Sequence, residues 1–397
     1  MTVADGGPVL VLNAGSSSLK FAVFRGLERR YHGQVDGIGE RPRFVFGESE
    51  AEPMPAATRH AAALARILDA LRDCGIRTGD LAACGHRLVH AGTRFVFPVL
   101  LDAERLAAID ELRELAPLHN GFGLDAIAAM RAVDPTLPQI ACFDTAFHAT
   151  VPEVAARFAL PATLHAAGYR RFGFHGLNFE HVTTTLAERH GAAATARLLI
   201  FHLGNGCSLC AVREGGSVAT TMGYSTLDGL TMGTRCGSID PGVLLALQRR
   251  EGLSLDALEA LLYRGSGLLA LSGVSSDMRE IERLDDDACR FAIEHFSYWA
   301  ARHAGSLAVA LGGVDTVAFT GGIGSHSARV RTEIVAHLQW LGIELDPERN
   351  SRHAEVITTD RSRCPVWVIA ADEERAILRH VRAVLAGPAR PATPRPT

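Results

Sequence analysis

The sequence predicts an α/β protein of two domains built on a common plan, and three observations carry that expectation. The chain has 397 residues, more than one hydrophobic core ordinarily organises. Short apolar runs of strand length alternate with longer segments of helical periodicity. One strand–turn–strand pattern also occurs twice. Val9–Phe24 and Leu198–Arg213 each pass from an apolar strand through glycine and small polar residues into a second alternating strand. A shift of 202 − 13 = 189 positions brings Gly15 onto Gly204, Ala22-Val23 onto Ala211-Val212 and Asn13 onto His202, as internal duplication requires. Glycine lets backbone N–H groups approach an anion, and small polar side chains add donors. Two such turns suit a polyphosphate held between them. Two ordinary hairpins on two sheets are the open alternative.

In chain order, Val9–Phe24 is the first hairpin, and Tyr31–Phe46 continues it as short strands broken by glycine. Ala56–Cys74 has helical spacing and ends near Gly75. Cys84–Gly92 reads as a short strand entering a turn, with Arg87 after the strand. Leu101–Leu115 is an amphipathic helix capped by Asp102, broken at Pro117, and Asn120 caps the next one. Gln139–Phe143 is an apolar strand that delivers Asp144 at its C-terminal end, where α/β sheets place ligands. Residues 151–168 read as a crossing between halves, and Tyr169–Gly176 leads into a helix ending near His190. After the second hairpin, Thr220–Gly242 is a glycine- and threonine-rich loop too long for a simple connection. Pro241 suits a first helical turn. Leu253–Tyr263 and Asp286–Leu311 are helical, with a cap-like turn at Ser275–Arg279 between them. Asp315–Thr320 is a buried strand, Gly321–Gly324 a turn into a helix from about Ala328, Pro365–Ala371 a strand and Asp372–Leu385 a helix. The proline-rich Gly387–Thr397 reads as frayed.

Composition narrows the function. The chain is 47% hydrophobic and 21% charged, with a formal net charge of −4 and no block of like charge. That argues against a nucleic-acid or membrane-surface binder. The first ten residues carry no signal peptide, and no apolar run is long enough to span a bilayer. Eight scattered cysteines suggest reduced thiols and a cytoplasmic location. Cys207 and Cys210 form a C-x-x-C on a predicted strand that turns them to opposite faces, so they read as structural. Among 40 basic residues Lys20 is the single lysine, and it lies in the first glycine–serine hairpin. A compact ammonium is a good point-charge partner for phosphate.

The polar residues expected at strand ends are Asn13, Ser16, Ser18, Lys20, Arg87, His119, Asp144, His175, His202, Asn205, Gly206, Arg235, Asp277, Arg279, glycines 321–324 and the acids Asp372, Glu373 and Glu374. Arginines, histidines, backbone donors and a few carboxylates suit phosphoryl transfer, where positioning and charge neutralisation supply most of the catalysis. Zinc spacing and a Walker motif are both absent. Singly, His119, His175 and His202 are compatible with hydrogen-bonded core histidines, Arg87 and Arg235 with surface charges, and Asp144 with a turn cap. Their glycine-rich and apolar flanks favour a ligand, because charge in such surroundings is costly without one.

Nine segments in order, from Val-Leu-Asn-Ala-Gly-Ser-Ser-Ser-Leu-Lys20 and Gly85-His-Arg to Pro117-Leu-His-Asn, Phe143-Asp-Thr-Ala-Phe-His, Tyr-Arg-Arg-Phe-Gly-Phe-His-Gly176, His202-Leu-Gly-Asn-Gly, Met232-Gly-Thr-Arg, Ser276-Asp-Met-Arg and Thr320-Gly-Gly-Ile-Gly, resemble the acetokinase family of short-chain carboxylate kinases, acetate kinases among them. The resemblance runs from about Val9 to Ala376. It implies the actin-like, duplicated two-domain fold of sugar kinases and chaperone ATPases, with an active-site cleft between the domains. The implied domains are 1–150, completed by a C-terminal helix at about 375–397, and 151–374, which carries the nucleotide site.

The resemblance further implies ATP + acetate ⇌ ADP + acetyl phosphate, with magnesium (or manganese in its place) and a homodimer. Carried over, Asn13 and Glu373 hold the metal. Lys20 and His202, Leu203, Gly204, Asn205 and Gly206 contact phosphates. Asp277, Met278, Arg279, Gly322, Ile323, Gly324, Ser325 and His326 line the nucleoside site. Arg87 binds the carboxylate near Asp144, and His175 and Arg235 stabilise the transferring group. Val89, Leu118 and Phe174, with His119 beside them, form the acetate pocket. Asp144 is the essential catalytic carboxylate on the same resemblance; an ionised carboxylate nucleophile needs little deprotonation at neutral pH, so Asp144 is expected to orient or hold a proton more than to abstract one.

Three positions depart from the family. Ser325-His326 replaces the usual Glu-Asn after Gly324, Thr226 replaces a pocket proline, and Ala91 replaces a glycine after His90. Propionate or butyrate kinase is the nearby alternative, since one methylene is worth only about 1–3 kcal/mol of discrimination. An ATP-binding, actin-like structural protein is the alternative of a different class.

Overall fold

The computed structural model describes residues 6–111 and 120–387. It divides into two compact units, one from the described residues within Met1–Ala146 and Asp372–Thr397, the other from Phe147–Ala371.

The first unit holds β1 (Val9–Ala14), β2 (Ser18–Arg25), β3 (Glu28–Asp36), β4 (Arg43–Phe46), β5 (Glu52–Pro53), β6 (Ala83–Leu88), β7 (Val99–Leu100) and β8 (Gln139–Phe143). They form one sheet in the order β5-β4-β3-β2-β1-β6-β8-β7. β1 is buried along its whole length because it is central and covered on both faces. Leu10, Leu12, Leu19 and Phe21 pack with Leu64, Ile67, Ala126 and Met130 of the helices His60–Asp73 and Asn120–Val133. Val11 points to the other face, where Ile377 and Val381 of the C-terminal helix Glu373–Leu385 close on Gly85.

The second unit holds β9 (Arg197–Leu203), β10 (Cys207–Arg213), β11 (Gly216–Thr220), β12 (Thr316–Thr320) and β13 (Val366–Val368), in the order β11-β10-β9-β12-β13. The helix Gly176–His190 lays Phe179, Val182 and Leu186 against Leu198, Ile200, Cys210 and Ala318. The long helix Asp287–Leu311 also packs on β9, β10 and β11.

The two sheets share one plan. In each, a central strand pairs antiparallel with the strand after it and parallel with a later strand: β1 with β2 and β6, β9 with β10 and β12. A further antiparallel strand and a further parallel strand flank these in both units. The fold is therefore the duplicated α/β arrangement of the actin-like class. The register corrects one detail of the sequence superposition. Val9 faces Phe24 in the first hairpin and Leu198 faces Val212 in the second. The first arms differ by 198 − 9 = 189 positions, but the second arms by 212 − 24 = 188. The first turn is one residue longer, so Cys210, and not Ala211, stands where Ala22 does.

Other elements differ in their limits. Gly321–His326 is a short helix in its own right, followed by Ala328–Ala336. Arg87 lies within β6, not after it. The helix after Asp102 is described over Ala103–Asp110, with the Asp102 carboxylate accepting from the Arg105 N–H at 2.7 Å. Residues 112–119, which include the end of that segment with Pro117, Leu118 and His119, and residues 388–397 lie outside the described residues. Pro241 opens the helix Pro241–Arg250, and Asp277, Asp286 and Asp372 cap the helices that follow them. Among the described residues no helix is long and apolar enough to cross a membrane. All eight thiols are free. Burial pushes those of Cys207 and Cys210 up to about 12, which makes both unreactive.

Candidate active site

In the first unit, β1, β6, the end of β8 and the start of the C-terminal helix bring four predicted residues together. Arg87 on β6 donates from Nε to both oxygens of Asp144 at 3.1 Å and from Nη2 to Oδ2 at 2.6 Å. Its Nη1 reaches Asn13 Oδ1 at 3.1 Å, and Glu373 Oε2 lies 3.6 Å away. Asn13 Nδ2 donates to Glu373 Oε2 at 2.7 Å. The Asp144 side chain is 1% exposed, whereas Arg87 and Glu373 keep 18% and 16%. Burial works against the charge on Arg87, but Asp144, Glu373 and Glu374 overcome it and hold the guanidinium above its usual range. A buried acid paired through both oxygens fixes the guanidinium plane and leaves one edge for a second ligand.

Lys20 is exposed on β2 and pairs in register with Asn13. Asp36 and Glu374 lie within its electrostatic reach. Val89 is half-buried just past β6, and Ser16 is exposed in the hairpin turn. His60 braces that turn, its ring 2.8 Å from the Gly15 carbonyl.

In the second unit, the turn after β9 collects the other set. His175 precedes the helix Gly176–His190 in the left-handed region, at φ 59° and ψ 19°. Its Nδ1 lies 2.8 Å from Ser208 Oγ, and its ring stacks on His202 with centroids 4.1 Å apart. His202 Nδ1 accepts from the Asn178 amide at 2.7 Å, so the ring proton sits on Nε2. The same amide reaches Thr320 Oγ1 at 3.2 Å. Gly206 completes the group. A β-carbon there would stand 2.8 Å from Arg235 Nη2 and 3.2 Å from His175 Nε2, so glycine lets the guanidinium and the imidazole close on the turn. Arg235 donates from Nη1 to the Thr226 carbonyl at 2.8 Å. Burial lowers its pKa, and no carboxylate among the described residues offsets that. A half-buried cation beside backbone donors, without an acid, is a site for an anion.

A cavity of about 660 Å³ opens beside this turn. Gly204, Asn205, Asp277, Met278, Arg279, Gly322, Ile323 and His326 line it, joined by Ser276, Glu282 and Ser327. Gly324 and Ser325 are buried behind that wall, and Leu203 is buried in β9. The volume suits a nucleoside. His326 occupies the wall in a T-shaped contact with His353, ring centroids 5.9 Å apart. Phe174 is buried, and Thr226 and Ala91, two of the departures from the family pattern, are buried as well. Sequence reasoning missed Ser208, Asn178 and Thr320, whose partners are distant in the chain, together with Glu282 and Ser327.

Comparison with known proteins agrees with this arrangement. The model of the acetokinase family matches residues 8–379. An acetate kinase of Nitrobacter hamburgensis is 45% identical over 390 residues, covering 95% of this chain and 96% of that one. An acetate kinase of Methylocella silvestris is 43% identical, with 95% and 98% covered. Among solved structures, a propionate kinase from Francisella tularensis superposes with a TM-score of 0.89 at 35% identity, covering 94% of this chain and 98% of that one. Porphyromonas gingivalis acetate kinase superposes with 0.86 at 34% identity, covering 96% and 100%. Nearly the whole chain is thus matched in sequence and in fold, and the chain belongs to the acetokinase family.

Proposed function

We propose that this protein is a phosphotransferase that moves the γ-phosphoryl group of ATP reversibly to acetate, giving acetyl phosphate and ADP. The observation that carries this reading is Arg235, a half-buried cation with no acid beside it among the described residues, held with His175 against the Gly206 turn. Phosphoryl transfer needs that arrangement, because charge spreads over the equatorial oxygens and must be met by fixed donors. The acceptor is a carboxylate that is already ionised at pH 7, so no general base is required. Arg87 binds it, and Asp144 holds the Arg87 guanidinium in place. Val89, Phe174, Leu118 and His119 are assigned to the acceptor pocket on the family pattern. The nucleoside lies in the cavity lined by Met278, Ile323 and His326. Lys20 and the 202–206 turn take the phosphates.

Magnesium fits the first-unit cluster. Asn13 and Glu373 offer hard oxygen atoms, and Mg²⁺ commonly takes one or two protein ligands and fills its shell with water and phosphate. No group of three acids, histidines or cysteines suited to a metal occurs among the described residues, which two-ligand binding does not require. Burial and the neighbouring Glu373 hold the Glu374 carboxyl above its usual range, and a dication relieves that crowding. When bound, the metal neutralises charge on the β- and γ-phosphates. Manganese has the same ligand preferences.

A homodimer is inferred, supported by the exposed Phe291, Tyr298 and Trp340 of the second unit. The eight free thiols support a cytoplasmic location, and the net charge of −4 argues against a nucleic-acid partner. The test is hydroxylamine trapping of the acyl phosphate with Mg-ATP and acetate, propionate or butyrate in parallel. Acetate gives the highest kcat/KM. No acyl hydroxamate from any of the three refutes the reading. A higher value for propionate reassigns the acceptor, an arm motivated by the likeness to a propionate kinase.

A further inference from the structure

His148 has no part in the chemistry above, yet it is 3% exposed and bonded at both ring nitrogens. Its Nε2 lies 3.0 Å from the Phe174 carbonyl, and its Nδ1 lies 2.8 Å from Ser217 Oγ. A carbonyl can only accept, so Nε2 carries the proton. Nδ1 is then a lone pair that accepts from the Ser217 hydroxyl. Phe147 and Phe179 meet the ring edge-on at 5.8 and 5.7 Å. Burial brings its pKa down to about 4, so the ring is neutral at working pH. Imidazole, tautomer and orientation are all fixed.

The ring is spent on three consecutive residues. Gly173, at φ 76°, packs directly on it, and a β-carbon there would fall 2.6 Å from His148 Cδ2. Phe174 accepts its hydrogen bond. His175 follows in a left-handed conformation that is strained for a non-glycine residue and persists only where its surroundings hold it. The His175 carbonyl then takes the N–H groups of Asn178 and Phe179, both at 3.0 Å, to start the helix.

We infer that His148 is a positioning residue for phosphoryl transfer: its Nε2–H clamps the Phe174 carbonyl and so sets the strained turn from which His175 reaches the Gly206 turn. The inference rests on the reading of His175 as a group that acts on the phosphoryl group. Two substitutions divide the ring's two bonds. Gln at 148 reaches as far as Nε2 and can still donate to Phe174; Asn is shorter and can satisfy only Ser217. His148→Asn is expected to lower kcat by about 10- to 100-fold, in line with the cost of misplacing a catalytic group by up to ~1 Å, while KM for ATP and for acetate stays within threefold. His148→Gln recovers most of the lost kcat.

Unchanged kcat in a folded His148→Asn protein, or a Gln variant as impaired as the Asn variant, overturns the inference. If His148→Asn does not fold, ¹⁵N-imidazole NMR of the unmodified protein decides. A ring protonated at Nε2, whose signal moves when Mg-ATP binds, upholds it; a ring protonated at Nδ1, or one indifferent to Mg-ATP, overturns it. His175→Ala separates the two claims. If that variant keeps its kcat, the reading of His175 fails; if it loses kcat while His148→Asn does not, only the positioning role fails.

Discussion

Replacing Gly206 by alanine places one methyl group between the two groups assigned to the transferring phosphoryl. Gly206 is not among the residues with positive φ, so its backbone accepts an L-residue without strain. The conflict lies only at the side chain. The new β-carbon would stand 2.8 Å from Arg235 Nη2 and 3.2 Å from His175 Nε2, where ordinary contact begins near 3.4 Å. The guanidinium therefore retreats by about 0.6 Å, and the imidazole by about 0.2 Å. Both are the ends of side chains, so the fold yields cheaply, and a strain-free Gly→Ala change even gains about 0.4–1 kcal/mol from the unfolded state. Catalysis does not yield cheaply. Misplacing a catalytic group by ~1 Å costs about 10²-fold, so kcat is expected to fall roughly 10- to 100-fold. KM for ATP changes little, because the nucleoside cavity is walled by other residues. The assay is acyl hydroxamate formation under saturating Mg-ATP and acetate, with a thermal melt as the control for folding. A Gly206→Ala protein with native melting behaviour and kcat within twofold of the parent would show that Arg235 and His175 do not act at this turn.

Arg331 is fully buried and donates to Asn350 Oδ1, the Asn350 and Gly324 carbonyls and His353 at 2.8–2.9 Å, with burial lowering its pKa to about 10. Arg331→Leu strands those acceptors and should cost about 3 kcal/mol or more in urea unfolding; a loss below about 1 kcal/mol refutes this. Burial lowers His86, His90 and His148 from 6.5 to about 4 each. Between these values the unfolded chain binds protons that the folded chain refuses, so stability is full above pH 6.5 and falls by roughly 1.4 kcal/mol per pH unit per histidine as the pH drops towards 4. Urea midpoints at pH 7.5 and 5.5 check this, and equal midpoints refute it. Finally, an imidazole at His326 can donate or accept at the cavity wall, so ATP is expected to be only weakly preferred over GTP and ITP, with the preference sharpened in His326→Asn; a strong ATP preference unchanged by the substitution contradicts it.

Local chemistry was legible wherever one residue type decides it. Asp102, and Asp277 in the cap-like turn Ser275–Arg279, cap helices because a short acid accepts the orphan N–H groups. Gln139–Phe143 reads as a buried strand and is one, so Asp144 was placed at its end from the sequence. Gly321–Gly324 reads as a turn because three glycines in four residues defeat helix propensity, yet Gly321–His326 is a helix. It is helical because its backbone is packed against Leu203, where a side chain on Gly321 would collide with the carbonyl. Ser208, Asn178 and Thr320 were not legible at all. Ser208 meets His175 across 33 residues, and Asn178 meets Thr320 across 142. A serine or threonine in a strand, or an asparagine in a helix, carries no local mark of the partner that the fold will give it.

The duplication explains why those residues matter. Matching the sheets strand by strand puts Asn13 with His202, Lys20 with Ser208, and Arg87 with Thr320. In the first unit these positions carry an amide, an ammonium and a guanidinium, and the buried guanidinium is balanced by Asp144 and Glu373. That set suits the small carboxylate and the cation proposed for it. In the second unit they carry an imidazole and two hydroxyls, none of which needs a counter-charge. Their hydrogen bonds run instead to His175 and Asn178, at the start of the helix behind the turn. The cation of that unit, Arg235, comes from the long loop between β11 and the helix Pro241–Arg250 and not from the sheet at all. A charge fixed in a sheet core demands a permanent partner. A charge brought in on a loop can wait for one, and a phosphoryl group that arrives and leaves in each turnover requires a cation of that second kind.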